Sequence, residues 1–164
     1  MLKENKTSTE ISELHNNAKR FCFLVENIQN FTTREWLSKV SLLLPRIHAV
    51  IGLIDDQRCA TSVFPDINMD ERFDFFCQMK NILGGNDDYE IGEEAVDHQL
   101  YGSLAEDLTD LYFEIKRGLD LITVSDDGIA AALSFWRDGF FLYWGKHLLD
   151  AERHLYELRV QQQI

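Results

Sequence analysis

Proline and cysteine are both scarce in this 164-residue chain, which has two of the first and three of the second. With only nine glycines besides, it lacks the composition of a linker or a low-complexity segment, and no long disorder is expected. No apolar run approaches the ~20 residues that a membrane-spanning helix needs. The polar stretch from Met1 to Glu10 has no apolar centre of the kind a signal peptide requires. The cysteines (Cys22, Cys59 and Cys77) are odd in number and form no C-x-x-C pair, which argues against a disulfide framework and against a thiolate zinc site. Cys22 and Cys77 sit among apolar residues at helical spacing and are expected to be small buried packing residues.

Positive charge is also short. Sixteen basic side chains face 28 acidic ones, for a formal net charge of −12. A nucleic-acid surface needs a basic patch to displace counterions from phosphates, and an anionic membrane asks for the same. Neither is an expected partner. The balance favours a basic protein partner, and the chain is expected to be cytoplasmic.

What is present is a globular composition, 45% hydrophobic and 27% charged, in a chain long enough to bury a real core. One helical domain over residues 1–164 is expected, with residues 1–7 a flexible tail. Five helical segments stand out by period. The first runs from about Ser8 to Gln29, with Leu14, Ala18, Phe21, Val25 and Ile28 on one stripe. The second opens at Thr33, taken as its N-cap, and carries Val40, Leu43, Leu44, Ile47, Val50, Ile51 and Ile54. Pro45 predicts a kink or break near Leu44, because proline removes one helical hydrogen bond and crowds the preceding turn.

After a connection from Asp55 to Ile67, Asn68 caps a third helix over Met69–Leu83, with Met69, Phe73, Phe76 and Leu83 inward and Gly84-Gly85 as its stop. An irregular segment is expected from Gly84 to Gly102. Ser103 and Glu106 then form a capping box for a fourth helix whose stripe is Leu104, Leu108, Leu111, Ile115, Leu119 and Ile122. A last helix starts at Ser125-Asp126-Asp127 and reaches about Arg159, with a seam of Leu133, Trp136, Phe140, Trp144, Leu148, Ala151, Leu155 and Leu158. Cys59–Phe64 is the one short strand candidate. Helices with one apolar stripe each, joined by turns, bury those stripes by packing together. The expected fold is all-α, an antiparallel bundle of about five helices with one long acidic loop.

Between Lys80 and Lys116 there is no lysine or arginine, yet ten acids: Asp87, Asp88, Glu90, Glu93, Glu94, Asp97, Glu106, Asp107, Asp110 and Glu114. Acids in the first turn of the fourth helix complement its dipole. Those of the loop invite three readings: a solvated surface, a docking surface for a basic partner, or a divalent-metal loop. An EF-hand register from Asp87 puts Gly92 at the required glycine. It also puts Tyr89 and Ile91 at ligand positions and His98 in place of the last carboxylate, so that reading fails. A solvated surface, which charge runs usually are, and a docking surface made by Asp87, Asp88, Glu90, Glu93, Glu94 and Asp97 remain.

Two helical constellations share an i, i+3, i+7 spacing: Asp107, Asp110 and Glu114 on the fourth helix, and His147, Asp150 and His154 on the last. If the two faces met, Asp107, Asp110, Glu114, His147 and His154 would be a candidate metal-ligand set of the kind bundles build between helices. The paired Glu-x-x-His signature of diiron bundles is absent. A structural His–Asp pair accounts for the same spacing without a metal and is preferred. No nucleophile elbow, catalytic cysteine cue or phosphate loop is present, so no catalytic residue and no cofactor are assigned. The aromatic run Phe135, Trp136, Phe140, Phe141, Tyr143 and Trp144 covers more than one helix face, and any surplus on the outside suits a partner groove or a homodimer seam.

The stretch Ser103-Leu-Ala-Glu-Asp107-Leu-Thr-Asp110-Leu-Tyr112 resembles the Ser-Leu-x-x-Asp-Leu-x-Asp-Ile-Tyr pattern of a bacterial family catalogued as domain of unknown function 5063. Tyr143-Trp144-Gly145-Lys146-His147-Leu148, with Ala151 beyond, is similar to its aromatic-Trp-Gly-x-His-Leu segment. Leu83-Gly84 with Asp88-Tyr89 resembles its Leu-Gly-x-x-Asp-x-Tyr loop. The likeness is weakest in the first helices. It implies a helical bacterial protein of this size, implies no activity, and marks Asp107, Asp110, Tyr112, Trp144 and His147. From all of this the leading reading is a non-enzymatic interaction module with an acidic face; a metal-dependent bundle enzyme is the alternative.

Overall fold

The structure is a computed structural model that describes residues 2–54, 66–91, 100–124 and 127–164. Its helices are α1 (Leu2–Glu26), α2 (Thr33–Ile51), α3 (Met69–Leu83), α4 (Leu104–Val124), α5 (Gly128–Gly139) and α6 (Gly145–Val160). A π-helical turn, Phe140–Trp144, joins α5 directly to α6, so these two make one long rod and the bundle has five. The fold is all-α apart from a small ribbon of β1 (Asp88–Ile91) and β2 (Leu100–Ser103). The strand expected over Cys59–Phe64 lies outside the described residues. Among those described, no helix is long and apolar enough to cross a membrane.

The stripes read from the sequence form the core. Leu14, Ala18, Phe21 and Val25 of α1 are buried with Trp36, Leu37, Val40, Leu44, Ile47 and Ile51 of α2. Leu104, Leu108, Leu111 and Ile115 of α4 meet Leu133, Trp136, Trp144, Leu148, Leu155 and Leu158 of the last rod. α4 is the central element, packed against α1, α3, α5 and α6, while α2 closes on α1 and α6. Trp136 packs against Gly118, where a Cβ would collide with its indole ring, and the ring nitrogen donates to the Ile115 carbonyl at 3.1 Å.

Several local expectations need correction. α2 runs unbroken through Pro45, because the buried Leu44 and Ile47 anchor both halves to the core. Pro45 itself is exposed, and Ser41, whose carbonyl loses its amide partner, is only half-buried. The N-cap of α2 is Thr32, not Thr33: its hydroxyl accepts the Glu35 amide and the Glu35 carboxylate accepts the Thr32 amide. Asn68 caps α3 as expected, through the Asp70 and Glu71 amides, and Gly84 ends it at φ 52°. On α3, Leu83 is buried as expected, but Met69 and Phe73 face solvent and Met79 takes the inward place beside Leu83. An isolated stripe cannot say which face meets the bundle when both faces carry apolar residues.

The segment expected to be irregular opens with a tight turn, Gly84–Asn86, and the ribbon. Only Tyr89 of β1 is buried, too short a pattern to read as alternation. Tyr89 pairs across the ribbon with Gly102, whose missing side chain makes room for the phenol ring.

The π turn has a cause visible in the seam. From Trp136 through Phe140 and Trp144 to Leu148, the inward residues advance by three steps of four. In a plain α-helix such a run drifts by about 120° from its starting face. One inserted residue removes about 100° of that drift, which keeps Trp136 and Leu148 both in the core.

Cys22 is buried as expected, but Cys77 is exposed, on the outer face of α3. Burial pushes the Cys22 thiol up to about 12, with Glu26 nearby adding to the effect. Since thiolate is the reactive form, iodoacetamide at pH 8 should label Cys77 rapidly in the native protein and leave Cys22 intact until unfolding. Peptide mapping reads each site separately; early labelling of Cys22 would contradict its packing.

Candidate functional site

Where β1, α3, α4 and α6 converge, a polar network is built into the bundle. Asp107 and Asp110 lie in the first two turns of α4, three residues apart and therefore on one face, and both are buried, at 4% and 3% exposure. His147 bridges them from α6. Its Nδ1 lies 2.8 Å from the Asp107 carboxylate and its Nε2 3.1 Å from that of Asp110.

Each carboxylate has further partners. The Tyr89 hydroxyl donates to the second oxygen of Asp107. Burial, followed by that hydrogen bond, raises the Tyr89 phenol above its ordinary range, so it stays a donor. Asp110 accepts from the Tyr143 hydroxyl at 3.0 Å and forms an ion pair with Arg72 of α3. Arg72 also reaches the Tyr143 oxygen at 3.3 Å. The two carboxylates thus share one arginine and one histidine as partners. The cluster is a clasp that ties α3, α4, α6 and the ribbon together.

A second tier supports it. His154 is buried at 6% exposure, stacks on Tyr89 with ring centroids 4.8 Å apart, and donates from Nε2 to the Asn86 carbonyl at 2.7 Å. Asp87 is buried at 1% and accepts from the Ala105 amide at 2.7 Å, the Ser103 hydroxyl at 2.9 Å and Lys80 at 2.8 Å. The N-terminus of α4 is therefore capped twice. Ser103 accepts the Glu106 amide, as the sequence predicts, and Asp87 reaches in from the preceding turn.

Sequence reasoning brought Asp107, Asp110 and His147 together, and the structure does so. The other two members of the candidate metal set go elsewhere. Glu114 pairs with Arg117 at 2.9 Å and His154 serves the Asn86 carbonyl. Among the described residues, no group of three or more His, Cys, Asp or Glu side chains is arranged to hold a metal ion. The physical reason is that both nitrogens of His147 are turned onto carboxylates and Arg72 already pairs with Asp110.

Asp87, expected on the docking surface, is instead an interior cap; Asp88 and Glu90 are exposed, and Glu93, Glu94 and Asp97 lie outside the described residues. Of the remaining marked residues, Tyr112 stands apart, stacked on Phe75 at 4.8 Å and bonded to Glu26 at 3.0 Å. Trp144 is buried against Phe140 behind the clasp. Sequence reasoning did not assign Arg72, Tyr89 or Tyr143 to a site. The two tyrosines stand inside the motif segments that carry the family likeness, which is the signal that could have found them. Arg72 has no local signal.

Beside the clasp, between α3 and the start of α4, a cleft of about 270 Å³ opens to solvent. Asp110 and Arg72 form its polar floor and Met69, Phe73 and Phe76 its apolar wall, with Glu106 at the edge. Met69 and Phe73 are 62% and 64% exposed. Farther along the last rod, Phe141 and Leu142 are also exposed, the outer surplus of the aromatic run.

The fold and this clasp define a helical-bundle protein closed by an internal carboxylate–histidine network. The chain belongs to the family described as Domain of unknown function (DUF5063), whose model matches residues 5–161. Among solved structures it is similar to the crystal structure of protein BF1032 from Bacteroides fragilis. The two are 19% identical, with 91% of each chain covered and a TM-score of 0.77, a likeness of fold. No curated protein matches.

Proposed function

We propose that the protein is a non-enzymatic interaction module that receives a basic, partly apolar segment of another protein in the cleft between α3 and α4. The observation that carries this reading is the pair Met69 and Phe73, large apolar side chains left exposed over a floor whose polar groups already have partners. The Asp110–Arg72–His147 network ties α3, α4 and α6 together beneath the cleft, and that makes a preorganised floor for docking. Glu106 edges the cleft, and the elements beside it, α3 and β1, expose further acids at Asp70, Asp74, Asp88 and Glu90. An acidic rim around an apolar centre selects a basic partner and speeds its approach. A bacterial cytoplasm suits the module, since Cys22 and Cys77 are both free.

The test compares Phe73→Ala and Glu106→Lys, both at exposed positions and expected to leave folding intact, with wild type in capture from the native host at low salt. A basic protein retained by wild type, released by salt and lost from both variants supports the reading. Equal retention by all three sinks it. Salt-insensitive self-association through Phe141 and Leu142 would point to the homodimer instead.

A further inference from the structure

On a chain of net charge −12, one surface has the opposite character. Between α1 and α2 runs an open groove of about 640 Å³ whose floor is Phe23, Leu24, Phe31, Leu42 and Leu43. Phe23 and Leu42 are 59% and 60% exposed there. Its rim carries four cations and no acid: Lys19, Arg20, Lys39 and Arg46. None of the four forms a close ion pair among the described residues, although Glu35, one turn before Lys39 on α2, interacts with it electrostatically; Arg72, Lys80, Lys116, Arg117 and Arg153 all form such pairs. Lys39 also lies over the Phe31 ring, 5.5 Å from its centroid. In a protein with a surplus of acids, four cations gathered around one apolar trough without close ion pairs repel each other.

A second observation comes from the same trough. Beyond Arg20 and Arg46 it continues into a polar stretch of about 520 Å³ lined by Ser12, Asn16 and Asn17, with a single acid, Glu13. Asn17 is buried at 5% exposure, and its side-chain Nδ2 has no hydrogen-bond partner. A buried amide donor left open beside two arginines is a place prepared for an acceptor.

We propose that the α1/α2 groove is a second docking site, which takes an amphipathic helix bearing acidic residues from a partner protein. The spacing of the cations favours a helix over a single-headed anion. Lys39 and Arg46 are seven residues apart on α2, about 10.5 Å along the axis at 1.5 Å per residue. Acids two turns apart on a docked helix span that same distance, and the apolar residues between them cover Phe23 and Leu42. An acyl carboxylate would engage the Arg20–Arg46 end and leave its chain in an open trough with Lys39 over the tail. The site shares no residue with the α3 cleft and does not depend on it.

The test uses a fluorescent, alanine-rich synthetic peptide of about 18 residues, long enough to hold helix. It carries glutamates at i and i+7 with leucine and phenylalanine at i+3 and i+4; a control has lysine in place of glutamate. Anisotropy at low salt should give saturable binding of the acidic peptide below about 1 mM. Affinity should fall roughly tenfold or more in Arg20→Glu/Arg46→Glu and with added salt, as screened charge pairs require. Both replacements are on exposed side chains, and circular dichroism checks that the fold is kept. Equal binding of the two peptides, no saturation, or unchanged affinity in the double variant overturns the proposal. So does arginine-dependent binding of dodecanoate without the peptide, which would assign the groove to an anionic amphiphile.

Discussion

Asp110→Ala lowers the unfolding free energy by about 3 kcal/mol, read from urea denaturation. Removing one partner of a buried ion pair costs ~3–5 kcal/mol because the remaining charge is left uncompensated. Here three groups lose their acceptor at once: Arg72, the Nε2 of His147 and the Tyr143 hydroxyl. The lower end of the range applies because the Arg72 and His147 side chains keep 23% and 21% of their exposure, so water replaces part of what is lost. A double-mutant cycle with Arg72→Met separates the pair from the rest of the network. If the clasp is as described, the second replacement is much less costly once Asp110 is gone, since it removes the stranded cation. A loss below about 1 kcal/mol for Asp110→Ala would place that carboxylate among ordinary surface ion pairs and contradict its burial.

Asp87→Lys should be the most damaging single charge reversal in the acidic segment, with a loss of about 4 kcal/mol or a failure to fold. The carboxylate caps the Ala105 amide, accepts from Ser103 and neutralises Lys80 at 1% exposure. Lysine there has no acceptor lone pair for the amide and sets a second ammonium beside Lys80 in a buried place. Asp87→Asn keeps an acceptor for the helix end and loses only the charge, so its loss should be smaller, about 1–2 kcal/mol by the scale of charged hydrogen bonds. Asp88→Lys, one residue on but with a side chain 71% exposed, should change stability by less than about 0.5 kcal/mol. Similar midpoints for Asp87→Lys and Asp88→Lys would mean that the cap does not form. The contrast shows why charge runs mislead: neighbouring acids in one acidic segment do opposite jobs.

The helices were legible because amphipathic periodicity is a property of the chain itself. Leu104, Leu108, Leu111 and Ile115 recur every turn, and a helix bearing such a stripe has to bury it. The capping residues Asn68 and Ser103 were readable for a related reason, since a cap acts within three residues of its own position. The one seam that steps by four throughout, from Trp136 to Leu148, carried the signature of the π turn as well.

The pairing of Asp107 and Asp110 with His147 was suggested by matched spacing on two helices, but whether those faces meet is not written in either helix. Packing decided it. The same packing turned Asp87 inward and Met69 and Phe73 outward, although an acid in a charged run and an apolar pair on a stripe read the other way. Arg72, 38 positions from Asp110 along the chain, entered the clasp with no local cue. The sequence by itself thus determined that this is an acidic bundle of about five helices and roughly where they lie along the chain, because propensity, periodicity and capping act over a few residues. Only the tertiary structure decided which charges neutralise one another and which apolar groups stay in solvent. Those outcomes depend on contacts between residues far apart in the chain, and burial changes what a charge or a methyl group costs.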